Sequence, residues 1–556
     1  MRIVNYLFIM KRLLLPVILL ITINILCIAQ HALAVHTYYV SANGSNGNDG
    51  SSIAKAWRSI AKVNSTIFSP GDKILFEGGE IFYGNVRIDN ASGTGANPVV
   101  ISSYGKQMAV IDAGGASGIV VHNCSNIKIS GLHFKGNGVN ANTGSGIMFY
   151  SDRVDKQCNN IVIDGCIAEG FNQYGILISC AEGENIKGYN NVLITNCIAT
   201  ANGEGGIASS GGQTSFHHTN IHITQCRAFL NKGIPSKTTN HSGNGIVMSS
   251  VEHLLIDHCL AYENGADNHC TAGGPVGIWM WLCKDGIIEH CESHHNHAGL
   301  NKDGGGFDID GGCNSCILQY NYSHDNEGAG YLLAEYGAGL PFTNNTVRFN
   351  ISQNDGRKNG YGAISFWGVN DAFKVTNTYV YNNTVFVNGA NVVNGIPAAV
   401  MALGNHFSHV IVANNVFLTN GSARFLNSDA PLDTDAILFL SNNYFSYNNA
   451  YLFNYNNVPV HSIKEWLQHD DAQEMFHGKA TYLSTDPYYT AAGSGKTVGN
   501  TLSLSSLLTE YHISGNHSSN KAVNLYSMYA WDIGGHDFYE NMLTKQNRNF
   551  AGSVLK

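Results

Sequence analysis

Asp308 and Asp310 stand two residues apart in the run Lys302-Asp303-Gly304-Gly305-Gly306-Phe307-Asp308-Ile309-Asp310-Gly311-Gly312. Phe307 and Ile309 alternate with the two acids, which fits a short strand that buries its apolar side chains and turns both carboxylates to the opposite face. Their Cα atoms would then lie about 6.5–7 Å apart. Two carboxylates that close repel, so one holds its proton near neutrality while the other stays ionised, the division that general acid and general base catalysis needs. The spacing is near that of inverting acid pairs at glycosidic bonds, about 6.5–9.5 Å between carboxyls, and rotamers bring it down to the retaining range. Asp303 and Glu335 are the acids placed to assist. The same pair would also suit a structural calcium ion.

The neighbouring segments carry residues suited to a polymer groove. Gly277-Ile278-Trp279-Met280-Trp281 has the same alternation one repeat earlier, so Trp279 and Trp281 should face outward beside the acids and offer flat apolar surfaces to a sugar ring. Leu332 and Ala334, then Ile364 and Phe366, are expected at the outward positions of the next two repeats. The longest loops, 231–245, 264–277 and 296–306, precede these strands and bring Lys232, Lys237, His241, His269, Lys302 and Asp303. His294 and His324 fall on adjacent repeats beside Tyr262, near the roots of those loops, and are candidates for holding substrate hydroxyls. Lys302 and Arg357 are the candidate substrate-binding cations.

The elements that must position these residues repeat. Leu132, Cys166, Cys197, Cys226, Cys259, Cys291, Asn321, Asn350, Asn383, Asn415 and Asn443 form a column with gaps of 28 to 34 residues, and a second Asn follows most members by five residues. Each copy opens on an apolar alternation such as Asn191-Val192-Leu193-Ile194-Thr195 and later shows a Gly-apolar pair such as Gly245-Ile246 or Gly306-Phe307. Three short strands per repeat with amides at fixed corners predict an all-β fold, a right-handed parallel β-helix of about 10–12 coils stacked about 4.8 Å apart. Stacked Asn side chains can bond one another and the turn backbone. Five cysteines share the column and read as small buried hydrophobes. Cys124 with Cys158, and Cys283 with Cys313, would lie on adjacent coils, close enough for disulfides in an oxidising compartment.

Around that array the chain divides into a signal peptide at 1–34, an N-terminal cap and first coils at 35–112, the β-helix at 113–450 and a C-terminal cap at 451–556. Lys11 and Arg12 precede an apolar run, and Ala32-Leu33-Ala34 suits signal peptidase, so the mature protein is expected to be secreted, with no stable membrane span. Trp57 to Val63 fits a short capping helix over an otherwise unpaired sheet edge. With 62 glycines, 10 prolines and 13% charged residues the composition suits short strands and tight turns. Removing the leader takes Arg2, Lys11 and Arg12 and leaves a net charge near −12, with no basic stripe, which argues against nucleic acid as a partner.

The opening Tyr38-Tyr39-Val40-Ser41-Ala42-Asn43-Gly44, the turn Pro70-Gly71-Asp72, the column, and the stretch from Gly306 through Asn326 together resemble secreted right-handed β-helix proteins of the pectate-lyase-like superfamily. That resemblance implies the fold over most of the mature chain and a polysaccharide or oligosaccharide partner, bound by a monomer. It leaves the reaction open. A glycoside hydrolase using Asp308 and Asp310 is the leading expectation, without a cofactor. A polysaccharide lyase with a Lys or Arg base, calcium assisting, is the alternative, and a non-catalytic glycan-binding or adhesion protein the third. Polygalacturonase-like relatives also carry acids on this strand, but their Gly-His-Gly motif is absent. Some calcium lyases of this fold place two Asp where this chain has Gly304 and Gly305.

Overall fold

The computed structural model describes residues 35–555 apart from 155, 470, 471, 516, 518–520, 532, 533, 545 and 546. The signal peptide expected at 1–34 lies outside the described residues. From Thr37 the chain winds as a right-handed parallel β-helix with three faces. One face, here the site face, stacks strands from Val86–Asp89 to Phe453–Tyr455 and includes Val276–Lys284, Gly305–Ile309, Tyr331–Glu335 and Gly362–Gly368. The second runs from Thr37–Val40 to Ile437–Leu440, and the third stacks 13 strands from Ile81–Tyr83 to Asn443–Ser446. The site and second faces are joined through one 14-residue strand, Asn244–Asp257, which pairs into both.

Parallel stacking brings like onto like, and the interior shows it. Ile278, Met280, Phe307, Ile309, Tyr331, Leu333, Ile364 and Phe366 are fully buried on successive coils of the site face. The expected column is a continuous ladder: Asn321 donates to Asn350, Asn350 to Asn383, and Asn383 to Asn415, each amide nitrogen within 3.1 Å of the next Oδ1. Its last rung is Asn442 rather than Asn443, because Asn415 pairs with Asn442, which in turn donates to buried Glu474. A second ladder joins Asn202, Asn231, Asn264, Asn296 and Asn326 and ends on Asp355. This ladder explains the Gly-apolar signature. A Cβ on Gly306 would lie 2.2 Å from Ser323 Oγ and 2.9 Å from Asn326 Nδ2.

The cysteines are buried free thiols among the described residues, and the two disulfides considered from sequence are not formed. Three of those thiols face backbone instead, Cys124 donating to Ile88 O, Cys283 to Met248 O and Cys313 to Met280 O, while Cys158 faces Ser151 Oγ.

The ends differ in kind. At the N-terminus a single helical turn, Ile60–Asn64, buries Ile60 and Val63, starting three residues later than expected. At the other end the helix Ile463–His469 seats Trp466 against Phe439, Tyr444 and Phe453 and closes the core. The remaining chain does more than cap. It returns along the outside, laying Leu504, Leu508, Tyr511 and Phe538 on the outward residues Tyr322, Ile351, Phe386 and Leu418 of the third face.

Candidate active site

Register decides which side chains meet. Asp308 pairs with Trp279 on one side and Leu332 on the other, between the inward positions of Phe307 and Ile309. Asp310 continues the strand by donating its N–H to Met280 O at 2.9 Å. One coil further the outward residues are Ser365, opposite Leu332, and Trp367, opposite Ala334. Ile364 and Phe366, expected outward, belong to the core, since a slip of one residue exchanges the faces of a strand. Gly304 takes φ +75° in the turn ahead of the strand, where a Cβ would lie 2.3 Å from Ala298 N, so the turn that carries Asp303 over the site requires glycine.

Asp303, Asp308 and Asp310 line one cavity of about 530 Å³ together with Trp279, Trp281 and Lys302. Its wall includes Glu204, Lys237, His241 and Asn244 upstream, and Tyr336, Tyr361 and Trp367 downstream. Trp281 is half-buried, whereas Trp279 is 5% exposed and donates Nε1–H to Asn244 Oδ1 at 3.1 Å. Trp279 is therefore floor, and Trp281 offers the open face.

The three acids differ in environment. Asp308 is 3% exposed and its Oδ1 has no hydrogen-bond partner, so burial, then the charges of Asp310 and Asp303, push its carboxyl well up. Asp310 is half-buried; burial raises it to about 8 against the opposing N–H of Gly311, which donates to Oδ1 at 2.8 Å. Asp303 is half-buried too, and burial raises it, but three groups favour its anion: the Tyr361 hydroxyl donating at 2.7 Å, the Gly274 N–H, and the Lys302 charge. Two of the three acids thus open to the cavity, and their surroundings differ.

The other expected site residues lie elsewhere. Glu335 is buried outside the cavity lining and accepts from the N–H groups of Gly312, Gly337 and Ala338, pinning the turn after Asp310. Arg357 is outside it as well, its guanidinium donating to Asn388 O, Ala390 O and Asp355 O. His294 and His324 are on the third face, stacked 4.7 Å apart and sealed at 7% and 1% exposure. The returning tail covers them, with Val498 N–H and Gly499 N–H donating to Glu292 at 2.7 and 2.6 Å. They therefore do not face the cavity.

Donor atoms of Glu292, His294 and His324 come within 4.8 Å of one another, a cluster that a metal ion could use. The two rings lie only 15° from parallel, so their in-plane lone pairs run side by side, and His324 is held between Glu292 and Asp325. Among the described residues, no set of three such donor side chains that close includes Asp303, Asp308 or Asp310.

Sequence reasoning missed Glu204, Tyr336, Tyr361 and Trp367. Trp367 was within reach, since correct register on Gly362–Gly368 would have turned it outward. Tyr361 meets Asp303 across 58 residues and leaves no local trace.

Residues 186–385 match the family described as right handed beta helix region. The chain is 24% identical over 455 residues to lacto-N-biosidase of Bifidobacterium longum subsp. longum, a match taking in 63% of this chain and 27% of that one. It thus spans little more than a quarter of that relative's length. Its fold is similar to that of the GH136 lacto-N-biosidase from Eubacterium ramulus, with a TM-score of 0.50 at 18% identity over 76% of this chain and 69% of the other. Pectate lyase Pel9A gives a TM-score of 0.36 at 15% identity over 84% and 94%. The fold is thus a right-handed parallel β-helix. Among the described residues no helix is long and apolar enough to cross a membrane.

Proposed function

We propose that this chain is a secreted glycoside hydrolase in which Asp310 is the general acid and Asp303 the carboxylate acting at the anomeric carbon. One observation carries the reading: two half-buried acids of raised proton affinity open into one cavity beside an available tryptophan face, and their surroundings favour different protonation states. Asp310, raised to about 8, holds a proton to give the glycosidic oxygen at neutral pH. Asp303, with Tyr361, Gly274 and Lys302 favouring its anion, acts as nucleophile or activates water. Asp308, sealed behind them, stays neutral and positions rather than reacts, which moves the second catalytic role from Asp308 to Asp303.

A lyase fits less well. Its chemistry needs a cation to neutralise a uronate and a strong base near it. Lys237 is engaged by both oxygens of Glu204 at 2.7 and 2.6 Å, Arg357 is spent outside the cavity, and Lys302, the cation left in the lining, acts on the Asp303 carboxylate. The Asp303 anion would repel a uronate, which favours a neutral oligosaccharide as the substrate. A binding protein has no need of acids held this unfavourably. The name of the Bifidobacterium relative makes lacto-N-biosides the first substrates to try.

Incubation with lacto-N-biosides, other neutral oligosaccharides and uronate polymers, following reducing ends and the absorbance of unsaturated uronates, tests this. Reducing ends without unsaturation are expected, and lost in Asp303→Asn and Asp310→Asn. Unsaturated product, or full activity in either variant, would overturn it.

A further inference from the structure

The cavity lies along the axis of the β-helix, and its two ends are built differently. Upstream of the acids it is walled by residues of two long loops, among them Lys237, His241 and Gly273, above the buried floor of Trp279. Downstream it is lined by aromatic and apolar side chains, among them Tyr361, Trp367, Met401 and Leu403. Ile309 is opposite Leu333 on the next coil, so Ala334 follows at the position beside Asp310, and Trp367 is opposite Ala334 on the coil after that. Two coil spacings set the Trp367 backbone about 10 Å from that of Asp310. Trp367 is 37% exposed although it lines the cavity, and Tyr336, which meets Trp281 edge-on at 6.4 Å, is 40% exposed. A large indole held open to solvent on a rigid sheet, continuous with a polar cavity, is a surface on which a sugar ring stacks.

We propose that Trp367 is the platform for the leaving-group sugar, so that a neutral oligosaccharide lies along the helix axis with its non-reducing end in the walled upstream half and its departing part over Ala334 and Trp367. The proposal rests on the hydrolase reading above and adds a direction and a second binding region to it. Trp281 serves the ring on the near side of the acids, and Trp367 the ring that leaves.

The test compares two donors sharing one glycone: lacto-N-biosyl fluoride, whose leaving group is a single atom, and a tetrasaccharide ending in the lacto-N-biosyl unit. Trp367→Ala should raise KM for the tetrasaccharide about tenfold, with partial recovery in Trp367→Phe. Turnover of the fluoride should stay within about twofold. Equal losses on both donors, or none on either, would overturn the platform. If the unaltered protein cleaves neither, the hydrolase reading falls, and calorimetric titration of the tetrasaccharide decides the platform separately. Weaker binding by Trp367→Ala then supports it, and equal or absent binding overturns it.

Discussion

Replacing Asp310 by Asn separates the catalytic use of a buried acid from its cost to the fold. Burial, with the charges of Asp303 and Glu335, raises the native carboxyl to about 8, against about 3.9 in an unfolded chain. Between those values the unfolded chain has released the proton that the native protein keeps, so folding takes up a proton and stability falls as pH rises. At about 1.4 kcal/mol per pH unit, holding that proton at pH 7 costs the native state about 4 kcal/mol. Asp310→Asn removes the titration and retains an Oδ1 to accept from Gly311 N–H, which lies 2.8 Å from the native carboxyl. The variant should lose about a thousandfold in kcat yet gain up to about 4 kcal/mol at pH 7, a rise of a few degrees in Tm. The gain should shrink with acidification and vanish below about pH 4, where native and unfolded parent both carry the proton. Thermal denaturation of parent and variant across that pH range reads the difference directly. A gain absent at pH 7, or constant down to pH 4, would refute the claim that Asp310 is held protonated.

The same acid sets the alkaline limb of activity. kcat/KM should fall as pH passes about 8 and should rise at the acid end as Asp303 ionises; a profile flat through pH 8 would place the acid elsewhere. Glu335→Ala orphans the N–H groups of Gly312, Gly337 and Ala338, so about 3 kcal/mol of stability should be lost. kcat should fall more than KM changes, with Glu335→Gln intermediate; an unchanged kcat would mean that Glu335 does not place Asp310. His294→Ala and His324→Gln should leave kcat/KM within about twofold, while the second exposes residues 495–501 to limited proteolysis. A large loss of activity in a folded, protease-resistant variant would restore a sugar-binding role to these histidines.

The coil repeat was legible because stacking constrains each column residue through its counterpart on the next coil. Cys197 and Asn383 hold their places although their neighbours differ. Register failed where two residues could fill one corner. The doublet Asn442-Asn443 hid which amide continues the ladder, and Ile364 and Phe366 were set one residue out of register because Ala363 occupies the place that Gly330 takes one coil earlier. Asp303, Asp308 and Asp310 were readable as a group, but their ranking was not. Which acid is sealed depends on how the walls close, and Tyr361 reaches Asp303 from 58 residues away. Burial of His294 and His324 was equally hidden, since Val498 meets Glu292 across 206 residues.

That returning tail changes how the protein should come apart. In a simple solenoid each coil touches only its neighbours, so unwinding can begin at an end and spread. Here Thr501 bonds His258 O, Gly495 exchanges hydrogen bonds with Gln353, Ser553 bonds Thr384, and Val523 bonds Ser441. One continuous segment thereby ties the coil of Cys259 to that of Asn442, across the coils that carry the acids. Those coils should melt as one cooperative block rather than by fraying, and their assembly should wait for the slow docking of the last hundred or so residues, whose contacts are the most distant in the chain.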